Sequence, residues 1–203
     1  MRFNLRHLLP LAMLSFGCGA ENAAGEPSEA AVDVEQMQEQ SMLQAAGCTS
    51  CLASTGATVQ SVLSREQLKN DVYHYTLRMQ VGPDAEHDVV VLHRVVRERL
   101  PWLPVSAPEA AFLVHGDAWD FRGAFLASTL TQTVPVEQSI AVYLAQQGVD
   151  VWGIDLRWTQ VPANTPDTRF MKNWNLGTHA QDVGTGLAVA RVLRGLTGSG
   201  TGS

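Results

Sequence analysis

Ala111-Phe112-Leu113-Val114-His115-Gly116-Asp117 and Val149-Asp150-Val151-Trp152-Gly153-Ile154-Asp155-Leu156-Arg157 decide how this chain folds. Each is a short apolar run that ends abruptly, the first in His-Gly and the second in Asp-Leu-Arg. Apolar runs of this length, bounded by turn-forming and polar residues, read as buried strands. Between them Pro135 stands where a helix begins, because its missing N–H costs nothing at a first helical position. Val136, Ile140, Tyr143 and Leu144 recur at i, i+4, i+7 and i+8, which predicts one apolar helical face, and Gly148 follows as the stop. Strand, helix and strand within roughly 45 residues is what a parallel crossover requires. The near-continuous apolar character of 149–154 predicts a strand covered on both faces.

Upstream, Val72 to Val81 alternates with period two. Tyr73, Tyr75, Leu77, Met79 and Val81 take one face, and His74, Thr76, Arg78 and Gln80 the other. Gly82 to His87 is a turn, and 88–96 is a second strand, so the pair predicts an antiparallel hairpin. Leu100-Pro101-Trp102-Leu103-Pro104 breaks the strand pattern and reads as a connection. Ser64 with Gln67 three residues later predicts a capped helical turn.

Downstream, 158–177 is a long loop, of the length that serves as a cap or a functional segment. Thr178 and Gln181 have capping-box spacing. Val183, Leu187, Ala190 and Leu193 then predict a helical face, with Gly184 and Gly186 allowing close approach to a sheet and Gly195 ending the helix. Asp155 reads as a strand-end carboxylate paired with Arg157, and Asp182 as an acid in the first turn of a helix. Residues 198–203, Gly-Ser-Gly-Thr-Gly-Ser, read as a flexible tail.

The N-terminus has the layout of an export signal. Arg2, Arg6 and His7 precede an apolar stretch from Leu8 to Phe16, too short to span a bilayer as a helix. Small residues then lead to Cys18, as in the cleavage box of bacterial lipoproteins, where the Cys becomes the lipidated first residue. Ser15 stands where that box usually carries a large aliphatic residue. Residues 1–17 are therefore expected to be a signal peptide, leaving an exported, membrane-anchored lipoprotein, with ordinary secretion as the alternative. Residues 18–56 read as a tether, with a marginal helix over 33–46 and a loop carrying Cys48-Thr49-Ser50-Cys51. In an exported chain this pair suits a local disulfide between Cys48 and Cys51, with redox activity or half a zinc site as alternatives. His74, His87 and His93 show no ligand spacing, so no metal and no cofactor is expected. With a net charge of −6 and no run of Lys or Arg, nucleic acid is not an expected partner.

The series over residues 57–197 resembles the N-terminal half of an α/β-hydrolase of the esterase or lipase kind. It comprises a hairpin, a strand ending His115-Gly116, a crossover helix, a strand ending Gly153-Ile154-Asp155-Leu156-Arg157, and a helix containing Asp182. The resemblance implies an α/β fold with strand order 1-2-4-3-5-6-7-8 and hydrolysis of a small ester or acyl substrate. It also implies an oxyanion hole built partly from the backbone N–H of Asp117, with Ala118 next in line. His115 and Gly116 would support that loop, and Trp119 and Phe121 would line a pocket. The nucleophile elbow Gly-x-Ser-x-Gly is absent: in Gly198-Ser199-Gly200-Thr201-Gly202 the place of the Ser is Gly200. The family's acid and His follow the Ser in chain order, so none of the triad is expected in these residues. Two functions follow: an exported serine hydrolase present as an inactive fragment, or a non-catalytic lipoprotein module derived from one. In both, the edge of the Ala111–His115 strand is left bare, which predicts a chain that is poorly soluble or only partly folded unless a partner covers that edge.

Overall fold

The computed structural model describes residues 52–131 and 133–197. The signal segment, Cys18, the 33–46 helix, Cys48, Cys51 and the tail lie outside the described residues. The alternation along β2, Val72–Gln80, sorts its side chains as expected. Tyr75, Leu77 and Met79 are fully buried on one face of the sheet, and Val72 and His74 on the other. β3, Val89–Leu100, pairs with β2 antiparallel in unbroken register from Val72 opposite Arg97 to Gln80 opposite Val89. The Leu100–Pro104 connection contains a two-residue strand, β4, Leu103–Pro104, folded back on the end of β3.

β5, Ala110–Val114, and β6, Asp150–Asp155, are parallel, with Ala110 opposite Asp150. β6 also pairs antiparallel with β3, and all six of its residues are buried. The sheet order is β1-β2-β3-β6-β5. Its last four strands run in the 1-2-4-3 order that the resemblance implies, and the fold is α/β.

β1, Thr58–Lys69, corrects the sequence reading, which placed a helical turn at Ser64 and Gln67. It pairs antiparallel with β2 and shifts register three times, between Val59 and Ser61, Val62 and Ser64, and Gln67 and Lys69. Each shift breaks the period of two, which removes the alternation that would identify a strand.

Helices cover both faces. α3, Leu176–Leu196, lies over Leu92, Trp152 and Ile154 and buries Val189, Ala190 and Leu193. Gly186 permits the approach: a Cβ there would stand 3.0 Å from Ile154 Cδ1 and 3.3 Å from Phe112 Cζ. Gly184 faces open space instead. The cap is Asn175, whose side chain accepts the Thr178 N–H, so Thr178 is the third helical residue and not the cap. On the other face, α1, Phe121–Phe125, and α2, Ile140–Gln146, pack on Val72, Val95 and Val151. α2 uses its predicted face only in part: Val136 and Leu144 pack on this core, partly buried. Ala141, Val142 and Ala145 are buried, while Ile140 and Tyr143 are half exposed. Small side chains let this short helix lie close to the sheet, and Ile140 and Tyr143 point away. No described helix is long and apolar enough to cross a membrane.

Candidate functional site

The carboxyl ends of β5 and β6 lie side by side, and both sequence signals end there. His115 follows β5 and is buried. Its Nδ1–H donates to the Gly116 carbonyl at 2.8 Å, which leaves Nε2 to accept the Leu156 N–H at 3.3 Å. One imidazole in one tautomer therefore ties the His-Gly turn to the residue just past β6. Trp158 stands edge-on to the ring, with centroids 5.5 Å apart.

After this anchor the chain runs exposed from Gly116 to Asp120. Among the described residues, neither the Asp117 N–H nor the Ala118 N–H has a protein acceptor. Asp120 caps α1, accepting the Gly123 N–H at 2.6 Å. Trp119 is 58% exposed and borders an open cleft of about 450 Å³, lined also by Ala118, Gly123, Leu130, Trp158 and Val161. Phe121 is a correction: it is fully buried in the core and does not line the cleft. Gly153 makes room for its ring, since a Cβ there would lie 2.2 Å from Phe121 Cε2.

Beneath the loop runs a buried polar chain that no sequence signal identified. Asp155 Oδ1 accepts the Phe121 N–H at 2.7 Å. Its Oδ2 lies 3.0 Å from His93 Nε2, a close electrostatic contact too oblique for a well-aligned hydrogen bond. His93 Nδ1 is 2.9 Å from His74 Nε2, and His74 Nδ1 is 3.3 Å from an Arg122 nitrogen. Arg122 in turn holds Glu66 through two 2.9 Å bonds. Arginine can only donate, and this fixes every proton. His74 Nδ1 accepts, so His74 Nε2–H donates to His93 Nδ1, and the His93 proton sits on Nε2 facing Asp155. The Phe121 ring stacks on both imidazoles, 4.4 Å from His93 and 5.9 Å from His74.

Electrostatics follow the geometry. Burial first, then the neighbouring His93 and Arg122, push the His74 pKa down to about 2. Burial raises the pKa of Asp155, but the contact with His93 and the Phe121 N–H outweigh it and hold the carboxyl below its ordinary value. Asp155 is thus an anion in a polar cradle. It does not pair with Arg157. The chain turns at Leu156 into a 3-10 segment, Arg157–Gln160, which sends Arg157 toward α3. There it meets Asp182 through bonds of 2.8 and 2.5 Å, and it also contacts Asp88. Burial disfavours the Arg157 charge, and the two carboxylates more than offset this and raise its pKa. Asp182 lies in the second turn of α3, not the first, and is buried.

No family model matches the chain, and no curated protein sequence matches it. Among solved structures, a candidate lipase from Sulfolobus solfataricus is similar, with 24% identity and a TM-score of 0.49. The match covers 61% of this chain and 35% of that one, so this chain spans about a third of the length of that protein.

His115 follows β5 and is tied to Leu156, and the exposed loop after it carries Gly116, Asp117, Ala118 and Trp119. The signal for the histidine pair was present in part. His74 and His93 both fall on the second face of the hairpin strands, and only the register, with His93 opposite Thr76, brings them into contact.

Proposed function

We propose that this chain carries the oxyanion-donor part of a serine ester or acyl hydrolase. The observation that supports this is the His115–Asp120 loop. It presents the Asp117 and Ala118 N–H groups to solvent at the carboxyl end of the parallel strand pair, where ligands of α/β sheets bind. Donors held in place before reaction stabilise the charge that grows on a carbonyl oxygen. The cleft beside Trp119, Leu130 and Trp158 suits an apolar acyl group. No Ser among the described residues sits on a strand-to-helix turn, so the nucleophile, its acid and its base belong to sequence outside these residues. Export by the N-terminal signal and lipidation of Cys18 belong to the same proposal, and the intact mass of the protein from its source membrane tests them.

The test of the activity uses the natural gene product and p-nitrophenyl esters. Asp117→Pro and Ala118→Pro each delete one donor, and the donor in use is expected to lower kcat by about 100-fold to 1,000-fold. Failure to turn over esters of any chain length, together with no labelling by a fluorophosphonate, overturns the proposal. A second reading, a non-catalytic module that takes a partner strand, is favoured by β5, of which every residue is at least partly exposed.

A further inference from the structure

The loop that carries the proposed donors is fastened at both ends to one place. Its beginning is held where His115 accepts the Leu156 N–H, and its end where the Phe121 N–H donates to Asp155. Asp155 and Leu156 are consecutive, so the last residue of β6 and the one after it set both anchor points. Five residues, 116–120, span between them without further support from the sheet.

The second anchor is less self-sufficient than the first. Asp155 has two oxygens. Only the one facing Phe121 is tied by a well-aligned bond, and the other rests against His93. His93 is in turn held by His74, and His74 by Arg122. Arg122 is the residue after Phe121, so the chain of contacts closes on the helix it began from. The buried ring of Phe121 fills the inside of this circuit, stacked on both imidazoles. The circuit has no surface opening wide enough for a substrate: His74 is fully buried and His93 nearly so. Its groups therefore act through what they hold.

We infer that Asp155 is a positioning residue, kept in orientation by His93 and His74, and that it sets where the Asp117 and Ala118 N–H groups point. This rests on the proposed function only for what the donors do; the placement of the loop stands without it. Asp155→Ala removes both contacts. Asp155→Asn keeps an acceptor for the Phe121 N–H but turns an N–H₂ toward the His93 proton or forces that proton to the other nitrogen. The loop is thus expected to loosen in two steps, little in Asn and fully in Ala.

The experiment is backbone ¹⁵N relaxation on the full chain, with and without these substitutions. In the parent, residues 116–120 are expected to be as ordered as the strands, with order parameters near ~0.85, falling below ~0.6 in Asp155→Ala while β2 and β3 stay unchanged. A loop that is already mobile in the parent, or equally ordered in Asp155→Ala, overturns the inference. If Asp155→Ala does not fold, Asp155→Asn decides the question, through the His93 tautomer read from its ring ¹⁵N shifts and through the order of the loop. Unchanged values of both in Asn reject it. In the natural gene product, an active parent whose kcat falls by about 100-fold in Asp155→Ala with KM little changed supports it further. An inactive parent with an Asp155-dependent loop rejects the proposed function and leaves the positioning role standing.

Discussion

The two ends of β6 carry buried carboxylates that differ in how they are held. At the amino end Asp150 is gripped by Arg94 in two 2.8 Å bonds and by Arg194 at 3.2 Å, on the face under α3. Arg94 is itself buried, 4.7 Å from the Trp152 ring, and also donates to Thr197 at the end of that helix. At the carboxyl end Asp155 faces the opposite helices and is held by a backbone N–H and an imidazole. One end matches charge with charge and ties α3 to the sheet. The other holds its carboxylate without an arginine, and an exposed loop lies above it. The two ends of one strand are thus held by different chemistry, ion pairs at one and a backbone N–H with an imidazole at the other.

The sharpest way to break this contrast is at the ion-paired end. Asp150→Ala leaves Arg94 buried without its carboxylate, at an expected cost of about 3–5 kcal/mol, read by urea denaturation. A loss below about 1 kcal/mol would mean that the two ends are equivalent. In the middle of the strand, Gly153→Ala forces a methyl into the Phe121 ring. The expected loss is about 1–3 kcal/mol. It should come with shifted ring resonances for His93 and His74 and no change at Arg94.

Acid distinguishes the ends more gently. His74 takes up a proton in the unfolded chain near its ordinary value of 6.5, but in the folded chain only at about 2. Below pH 6.5 the unfolded state therefore binds more protons, and stability falls as pH falls, with a slope approaching about 1.4 kcal/mol per pH unit. The groups facing His74 are His93 from β3, Phe121 and Arg122 from α1, and Glu66 from β1. Urea midpoints compared at about pH 7 and about pH 5 should diverge, and His74→Gln should flatten the difference. An unaltered slope in that variant would remove His74 as its source.

Much of the framework is legible in the sequence because β2, β3, β5 and β6 obey one rule each: alternation where one face differs from the other, or a continuous apolar run where both are covered. β1 escapes because its register shifts scramble the period. α2 escapes because packing selects small Ala141 and Ala145 over large Ile140 and Tyr143, and a count of apolar residues ranks them the other way. At the site, the His-Gly turn is legible as the abrupt end of an apolar run, whereas the tie from His115 to Leu156, 41 residues away, is not. Asp155 was matched with the wrong cation because the turn at Leu156 cannot be seen in a pattern of charges. His74 and His93 are 19 residues apart, and their contact is a product of tertiary register.

Among the described residues, the two edges of the sheet differ. β1 presents Thr58, Gln60, Ser61, Arg65, Glu66 and Lys69 along a strand kinked at three points, while β5 offers five apolar residues in unbroken step with their neighbour. Such an asymmetric ribbon behaves as a monofunctional unit in polymer chemistry. A strand that docks on β5 uses the compatible edge, and the side that remains repels continuation.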